Sequence, residues 1–398
     1  MVNGHRLIFL VLALPVVIAV VAVVFIYMSG GAGSVNVLSS LPACGNETQF
    51  FTTLPTNFSN LANITPLGNL NPPQHTFPAN HLYFGIGVSQ NGVPLNTSLF
   101  APGNTTIVSI GSNNANPQHT EYTVYFSSCG QFLAYYDHVT SLSPTLRALF
   151  TPPFSECSTD PFTGRAQCVK NLDVKVSAGQ YIGTAGGFLG APPSFDFAAV
   201  DYRLSPLAFT VQSHYDNMNL HYVCAINYFT PSLASRLDSI LGLGSEKRIT
   251  PPICGSINQD VPGTAQGNWF PLGMNFASGN LSGTIALVHN NINTTIGVFS
   301  IGNSMTSLGF QSGLYSFDPK NSGLVNLDFE HVRPGQVYCY ETAFGFGSLQ
   351  SQTMPSTVIL VQLLDNSTLR IGLLPGSSGS CGTGPWNFTN GQWADFQR

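Results

Sequence analysis

Charge is scarce in this sequence. Its 13 Lys and Arg and 18 Asp and Glu make up 8% of 398 residues, against roughly a quarter in an ordinary soluble chain. Ser, Thr and Asn must solvate most of the surface, with glycans as a supplement. No Lys/Arg cluster accompanies the 28 Phe and 14 Tyr, and the net charge is −5. The cationic footprint of nucleic-acid binding is therefore missing, and nucleic acid is excluded as a partner. Also absent are H-E-x-x-H, G-x-S-x-G, a Walker loop, an EF-hand loop and C-x-x-C-H, so any activity must come from residues dispersed along the chain. There is no C-x-x-C pair and no solenoid-type repeat.

What is present begins with an uncharged run of 22 residues, Leu7 to Met28. At about 1.5 Å per residue it matches a hydrocarbon core of roughly 30 Å. It exceeds the apolar region of a secretory signal, which favours a retained anchor, although Ser29 to Ser34 offer small residues to a peptidase. Arg6 precedes the run and no Lys or Arg follows until Arg147. That asymmetry predicts a single-pass protein of the cell membrane, with its N-terminus cytoplasmic and its bulk extracytoplasmic.

Eight cysteines, Cys44, Cys129, Cys157, Cys168, Cys224, Cys254, Cys339 and Cys381, form an even set that fits disulfides in such a compartment. Cys157 with Cys168 is the expected local pair and Cys339 with Cys381 the second, the remainder staying open. N-x-S/T sequons, expected glycosylation sites, occur at Asn46, Asn57, Asn63, Asn96, Asn104, Asn280, Asn293, Asn366 and Asn387.

The fold class expected is mainly β. Residues 1–28 form the cytoplasmic tip and transmembrane anchor, and 29–75, rich in Ser, Thr, Asn and Pro, read as a glycosylated stalk. Residues 76–230 form one β domain, with strands at Thr106–Ile110, Tyr122–Phe126, Phe132–Val139 and Phe195–Val200 and a tight turn at Ser177–Gln180. Leu233, Leu237, Ile240 and Leu241 behind Thr230-Pro231 predict a helix, so 231–245 become a helix packed between two β domains. Residues 246–398 form the second, with strands at Thr284–Val288, Val298–Ile301, Gln336–Tyr340, Val358–Leu363 and Thr368–Leu373. Trp269-Phe270 and Trp386 read as core more readily than as sugar platforms.

From His81 to Val200 the order and spacing of short motifs resemble the lysostaphin-type zinc endopeptidases, which cut peptidoglycan cross-links on a β fold called the duplicated hybrid motif. HLYFGI (81–86) is similar to the opening H-x-G-x-D-I, and FAPGNTTIVSIG (100–111) to the A-P-x-D-G-T-V strand. YYDHV (135–139) resembles Y-x-H-L, VSAGQYIGTAGG (176–187) the V-x-x-G-Q-x-I-G turn, and SFDFAAV (194–200) sits where H-x-H-F-E-V belongs. The resemblance covers about 120 of 398 residues. It implies zinc ligands at His81, Gly85 and Asp196, and catalytic groups at His138 and Ser194. Glycine offers no donor atom, and serine lacks the proton chemistry of imidazole. Rescue by Asp137 would require a bulge, because neighbouring strand residues face opposite ways.

The resulting expectation is a degenerate, inactive peptidase-like domain without a cofactor, serving as a binding or structural module at the cell surface. Its partners would be the membrane, through residues 7–28, and a cell-surface glycan or peptide. The alternative is a zinc-dependent endopeptidase with unusual ligands.

Overall fold

The computed structural model describes residues 38–114, 119–159, 164–275, 281–345, 357–388 and 392–398. The span expected at 7–28, residues 29–37 of the expected stalk and the sequon at Asn280 lie outside them. Among the described residues no helix is long and apolar enough to cross a membrane.

The chain is mainly β: a large antiparallel sheet is followed by a closed barrel. The sheet is built from β1 (Asn63–Thr65), β2 (Leu82–Gly85), β3 (Thr97–Phe100), β4 (Thr105–Asn113), β5 (Glu121–Ser127), β6 (Phe132–Leu142), β7 (Glu156–Thr159), β8 (Ala166–Val176), β9 (Tyr181–Ala185) and β10 (Ser194–Asp201). Its order is β1-β2-β10-β6-β5-β4-β8-β7, with β9 joining β3 to the end of β6. The hairpin read from residues 122–139 is β5–β6. The turn read at Ser177–Gln180 links β8 to β9, with Gly179 at φ +79° supplying the left-handed position.

Strand alternation gives this sheet two unlike faces. Phe84, Phe195, Phe197, Tyr136, Phe126 and Phe132 point into an aromatic core. His81, Tyr83, Asp196, Asp137 and Thr123 belong to the opposite parity, as the register pairs Asp196 with both Tyr83 and Asp137.

At the centre of the aromatic face lies Phe51, fully buried and in ring contact with Phe126, Phe132, Phe197, Tyr228 and Phe229. This corrects the stalk: Phe50, Phe51, Ile64 and Leu67 are core residues, and Cys44 is bonded to Cys129. Polar composition concealed a segment whose few apolar side chains are aperiodic, with Leu38, Phe50, Phe51, Ile64, Leu67 and Leu70 buried and Leu41, Leu54 and Leu61 partly so. Asn63, within it, donates its Nδ2 to the Gly242 carbonyl at 3.0 Å.

The helix α1 (Pro144–Leu149) is capped by Ser143, and α2 (Pro231–Asp238) follows Thr230 with proline in its first turn. Helix α2 ends before the expected 245, and Gly242 opens a short strand. Its Leu237, with Leu241 beyond it, packs into the aromatic core, so the reading of this helix as a layer between two domains is also corrected.

The barrel runs β11 (Gly267–Pro271), β12 (Ile285–His289), β13 (Gly297–Ile301), β14 (Gly313–Phe317), β15 (Val337–Gly345), β16 (Thr357–Leu363), β17 (Thr368–Leu373) and β18 (Trp393–Gln397), the last closing on the first. Trp269, Ile285, Leu287, Phe299 and Ile301 fill its interior. Their neighbours Phe270, Ala286, Val288 and Val298 face outward and receive Leu70 and Phe77 from the first unit. Trp269 and Phe270 are thus core, and Trp386 is half-buried, donating to the Cys381 carbonyl at 2.7 Å. β11, β14 and β18 were not read from sequence, being short and lacking clean alternation.

All eight cysteines are paired: Cys44–Cys129, Cys157–Cys168, Cys224–Cys254 and Cys339–Cys381. Alkylation under denaturing, non-reducing conditions should modify none, and reaction of four or more thiols would contradict the pairing. Phe51→Ala should cost about 3–5 kcal/mol of stability, read from the denaturant midpoint. A cost below about 1 kcal/mol would return residues 38–75 to the role of a linker.

Candidate functional site

The titratable side chains of the sheet's second face converge where β2, β10, β6 and β5 lie side by side. Asp196 is 3% exposed and His81 4%, and His81 Nε2 stands 3.2 Å from Asp196 Oδ2. His138 Nε2 approaches the same oxygen at 3.6 Å. Both imidazoles are therefore aimed at one buried carboxylate.

A β-bulge brings His138 there. Tyr122 pairs with Val139 and Val124 with Tyr136, so Asp137 and His138 together oppose Thr123. His138 takes φ +59°, a conformation rare outside glycine and costly for a side chain of this size. Asp137 Oδ1 secures the bulge by accepting from the Thr123 hydroxyl at 2.7 Å and from the His138 amide at 2.9 Å. The bulge that sequence reasoning required for Asp137 and His138 to share a face is therefore present. Ligand atoms of Asp137, His138 and Asp196 lie within 4.8 Å of one another.

Each imidazole is oriented from behind. His138 Nδ1 donates to Glu121 Oε2 at 2.6 Å. Asn80 uses its Nδ2 as donor to Asn219 Oδ1, which leaves its own Oδ1 to accept from His81 Nδ1 at 3.0 Å. His81 then carries its proton on Nδ1 and turns the Nε2 lone pair toward Asp196. Despite the 3.2 Å separation the alignment is not that of a hydrogen bond, and His81 Nε2 and Asp196 Oδ1 are both buried without a partner.

Residues 67–80 form the wall of the site. Asn71 and His75 exchange backbone hydrogen bonds across Pro72-Pro73, which sets the His75 ring edge-on to His81 at 5.1 Å. Leu70 and Phe77, on either side, are those packed against the barrel. Tyr83 completes this wall, its ring 4.6 Å from that of His81.

Proton affinities follow this geometry. Burial alone would lower the His138 imidazolium, but Asp196, the Glu121 hydrogen bond and Asp137 outweigh it and raise it to about 10. Burial chiefly, with Asp137 and Glu121 adding and His138 opposing, raises Asp196 to about 7. Burial also lowers His75 to about 4, with His138 contributing, and holds His81 well below its ordinary value, with His75 and His138 contributing.

Of the residues singled out in the sequence, His81, Asp196 and His138 meet. Gly85 and Ser194 face each other in register on the same sheet face, and neither supplies a ligand here. A β-carbon at 85 would meet Asn63 Oδ1 at 2.9 Å, so the Asn63 side chain of β1 would have to shift for an aspartate there. His75, Asn80, Tyr83 and Glu121 were missed. The Pro-Pro turn before His75 was the one local signal, while Glu121 reaches His138 only through strand pairing. Elsewhere, His289 pairs with Asp328 at 3.1 Å and His331 with Glu330 at 3.6 Å, both away from the cleft.

In chelator-treated protein the His138 ring resonances should titrate near pH 10. Glu121→Gln should lower that midpoint by about one unit or more. Both His138 and Asp196 hold protons more tightly folded than unfolded. Their contribution to stability is therefore fully present below the unfolded values, about 6.5 and about 4, and is lost as pH rises through about 10 and about 7. A His138 midpoint at or below 6.5 would show that the carboxylates do not govern it.

No protein-family model matches the chain, and no curated protein matches it. Among solved structures, the NMR solution structure of lysostaphin is similar over 88% of this chain and 92% of that one, at 12% identity. Its TM-score of 0.25 marks a distant likeness that carries no argument about fold or activity.

Proposed function

We propose that this chain is a membrane-anchored extracytoplasmic protein whose region 76–230 is a degenerate peptidase-like domain, acting as a binding or structural module at the cell surface. The observation that carries the reading is the selective loss at positions 85 and 194. The His81–Asp196–His138 constellation persists, while the facing pair Gly85 and Ser194 has no ligating or proton-shuttling side chain and the Asn63 side chain lies against position 85. A lysostaphin-type reaction needs groups at both positions, so hydrolysis by that route is lost.

Three further features support it. The motif segments of the family resemblance all fall on one sheet, at β2, β3 with β4, β6, the β8–β9 turn with β9, and β10. Four disulfides suit an oxidising compartment. The cleft face is polar and aromatic, which fits a surface glycan or peptide as ligand.

One observation favours a second reading, a zinc-dependent endopeptidase with unusual ligands: the Nε2 atoms of two imidazoles approach one buried carboxylate. The two readings separate cleanly. Under the first, the purified chain co-sediments with insoluble envelope material from its own cells and releases no product from cross-linked peptide substrates. Cleavage that His81→Ala abolishes would replace the first reading by the second, and failure to co-sediment would remove the binding role. Protease added to intact cells should degrade the chain beyond about residue 29, and its survival would overturn the topology.

A further inference from the structure

We propose that a pocket walled by the Cys224–Cys254 disulfide, with the Asp238 carboxylate at its rim, binds a small organic cation: a primary ammonium group carried on a compact apolar body. The inference goes beyond the reading of the cleft, whose imidazoles and carboxylates take no part in this pocket.

Distant segments of the chain build it. Tyr222 and Val223 pair with β10 at the edge of the sheet, and Cys224 beside them is bonded to Cys254. The Leu67 amide donates to the Cys254 carbonyl at 2.9 Å. Gly255 permits that approach, since it takes φ +84° and a β-carbon there would collide with the Leu67 carbonyl oxygen. Helix α2, anchored in the core by Leu237, brings Asp238 to the rim. A cavity of about 400 Å³ remains among these segments, within the usual range for small-molecule sites.

Its lining is mostly apolar. Leu67, Tyr222 and Ile257 are buried, while Leu207, Val223 and Ile253 stand progressively more open. Covering such a surface with an apolar body is favourable by about 25 cal/mol for each Å² removed from water. The Ser256 hydroxyl is occupied, donating to the Asn258 carbonyl at 2.6 Å. Asn227 contributes a neutral amide.

The one charged side chain of the lining sets the sign of the ligand. Among the described residues Asp238 makes no ion pair and its carboxylate accepts no hydrogen bond, and partial burial pushes its carboxyl above the ordinary value. The neighbouring cations are engaged elsewhere. Lys247 donates to the Ser239 carbonyl, and the Arg236 guanidinium lies over the Phe58 ring at 4.2 Å. A carboxylate desolvated by a bound apolar body is costly unless a cation meets it. An anion would be repelled, and a neutral molecule would leave the carboxylate unanswered.

The test uses the full chain in detergent at low salt, with cyclohexylmethylammonium chloride as probe and saturation-transfer NMR as readout. A dissociation constant of about 1 mM or tighter is expected of a ligand this small. Cyclohexylmethanol, which keeps the body and loses the charge, should bind about 10-fold more weakly, and cyclohexanecarboxylate should show no saturable binding. Asp238→Asn should weaken the amine by about 10-fold or more and leave the alcohol unchanged. Ile253→Ser, at the exposed wall, should weaken both probes.

No saturable binding of the amine, or equal affinity for amine and alcohol in the wild type, overturns the proposal without recourse to any variant. Full retention of amine binding by Asp238→Asn overturns it as well. Loss of amine binding in Asp196→Asn but not in Asp238→Asn would place the amine in the cleft and likewise overturn it.

Discussion

A buried carboxylate organises this protein. Asp196 lies on a central strand with 3% exposure, and an ionised carboxylate taken out of water costs several kcal/mol unless charge or hydrogen bonds compensate it. The His138 imidazolium supplies part of that compensation, and burial still raises Asp196 to about 7. Strand β2 delivers His81 from one side and β6 delivers His138 from the other. The bulge is what allows His138 to arrive, since a regular strand would turn it toward the aromatic core. The strain of a left-handed histidine is held in place by Asp137, whose carboxylate bridges Thr123 and the bulge backbone. Backbone strain retained in this way is commonly found at functional sites.

The two unlike sheet faces explain why the site is rigid. Beneath it, Phe51 and the phenylalanines of β5, β6 and β10 pack ring against ring, so the strands bearing His81, His138 and Asp196 cannot shift independently. Above it, the loop carrying His75 is pinned by Leu70 and Phe77 on the outer wall of the barrel. The barrel thus contributes no atom to the cluster, yet it fixes the loop beside it. Its outward residues Ala286, Val288 and Val298 would otherwise form an exposed apolar patch, which soluble surfaces avoid.

Strand positions were legible wherever alternation was strong. The β5–β6 hairpin, the β8–β9 turn, β10 and the long barrel strands all stand where hydrophobic periodicity placed them, as do the disulfides Cys157–Cys168 and Cys339–Cys381. Segment 38–75 was misread because its apolar residues are sparse and follow no period, so composition spoke for solvent while tertiary packing buried them. In the site, His81, His138 and Asp196 were identified from ordered motifs. Their partners Glu121 and His75 were not, because each reaches its imidazole through a register or a turn that no local pattern records, and Asn80, though adjacent to His81 in sequence, lies outside the motifs that marked the site.

By itself the sequence determined the β class, the faces of the regular strands, the oxidised cysteines and the residue types available for chemistry. These follow from period, count and side-chain chemistry, all local properties of the chain. Only the tertiary structure decided that Asp137 and His138 share a face, that the Asn63 side chain lies against position 85 and that two Nε2 atoms meet one carboxylate. Each of these depends on how distant strands pair, and a displacement of one residue in a register exchanges the two faces of a strand.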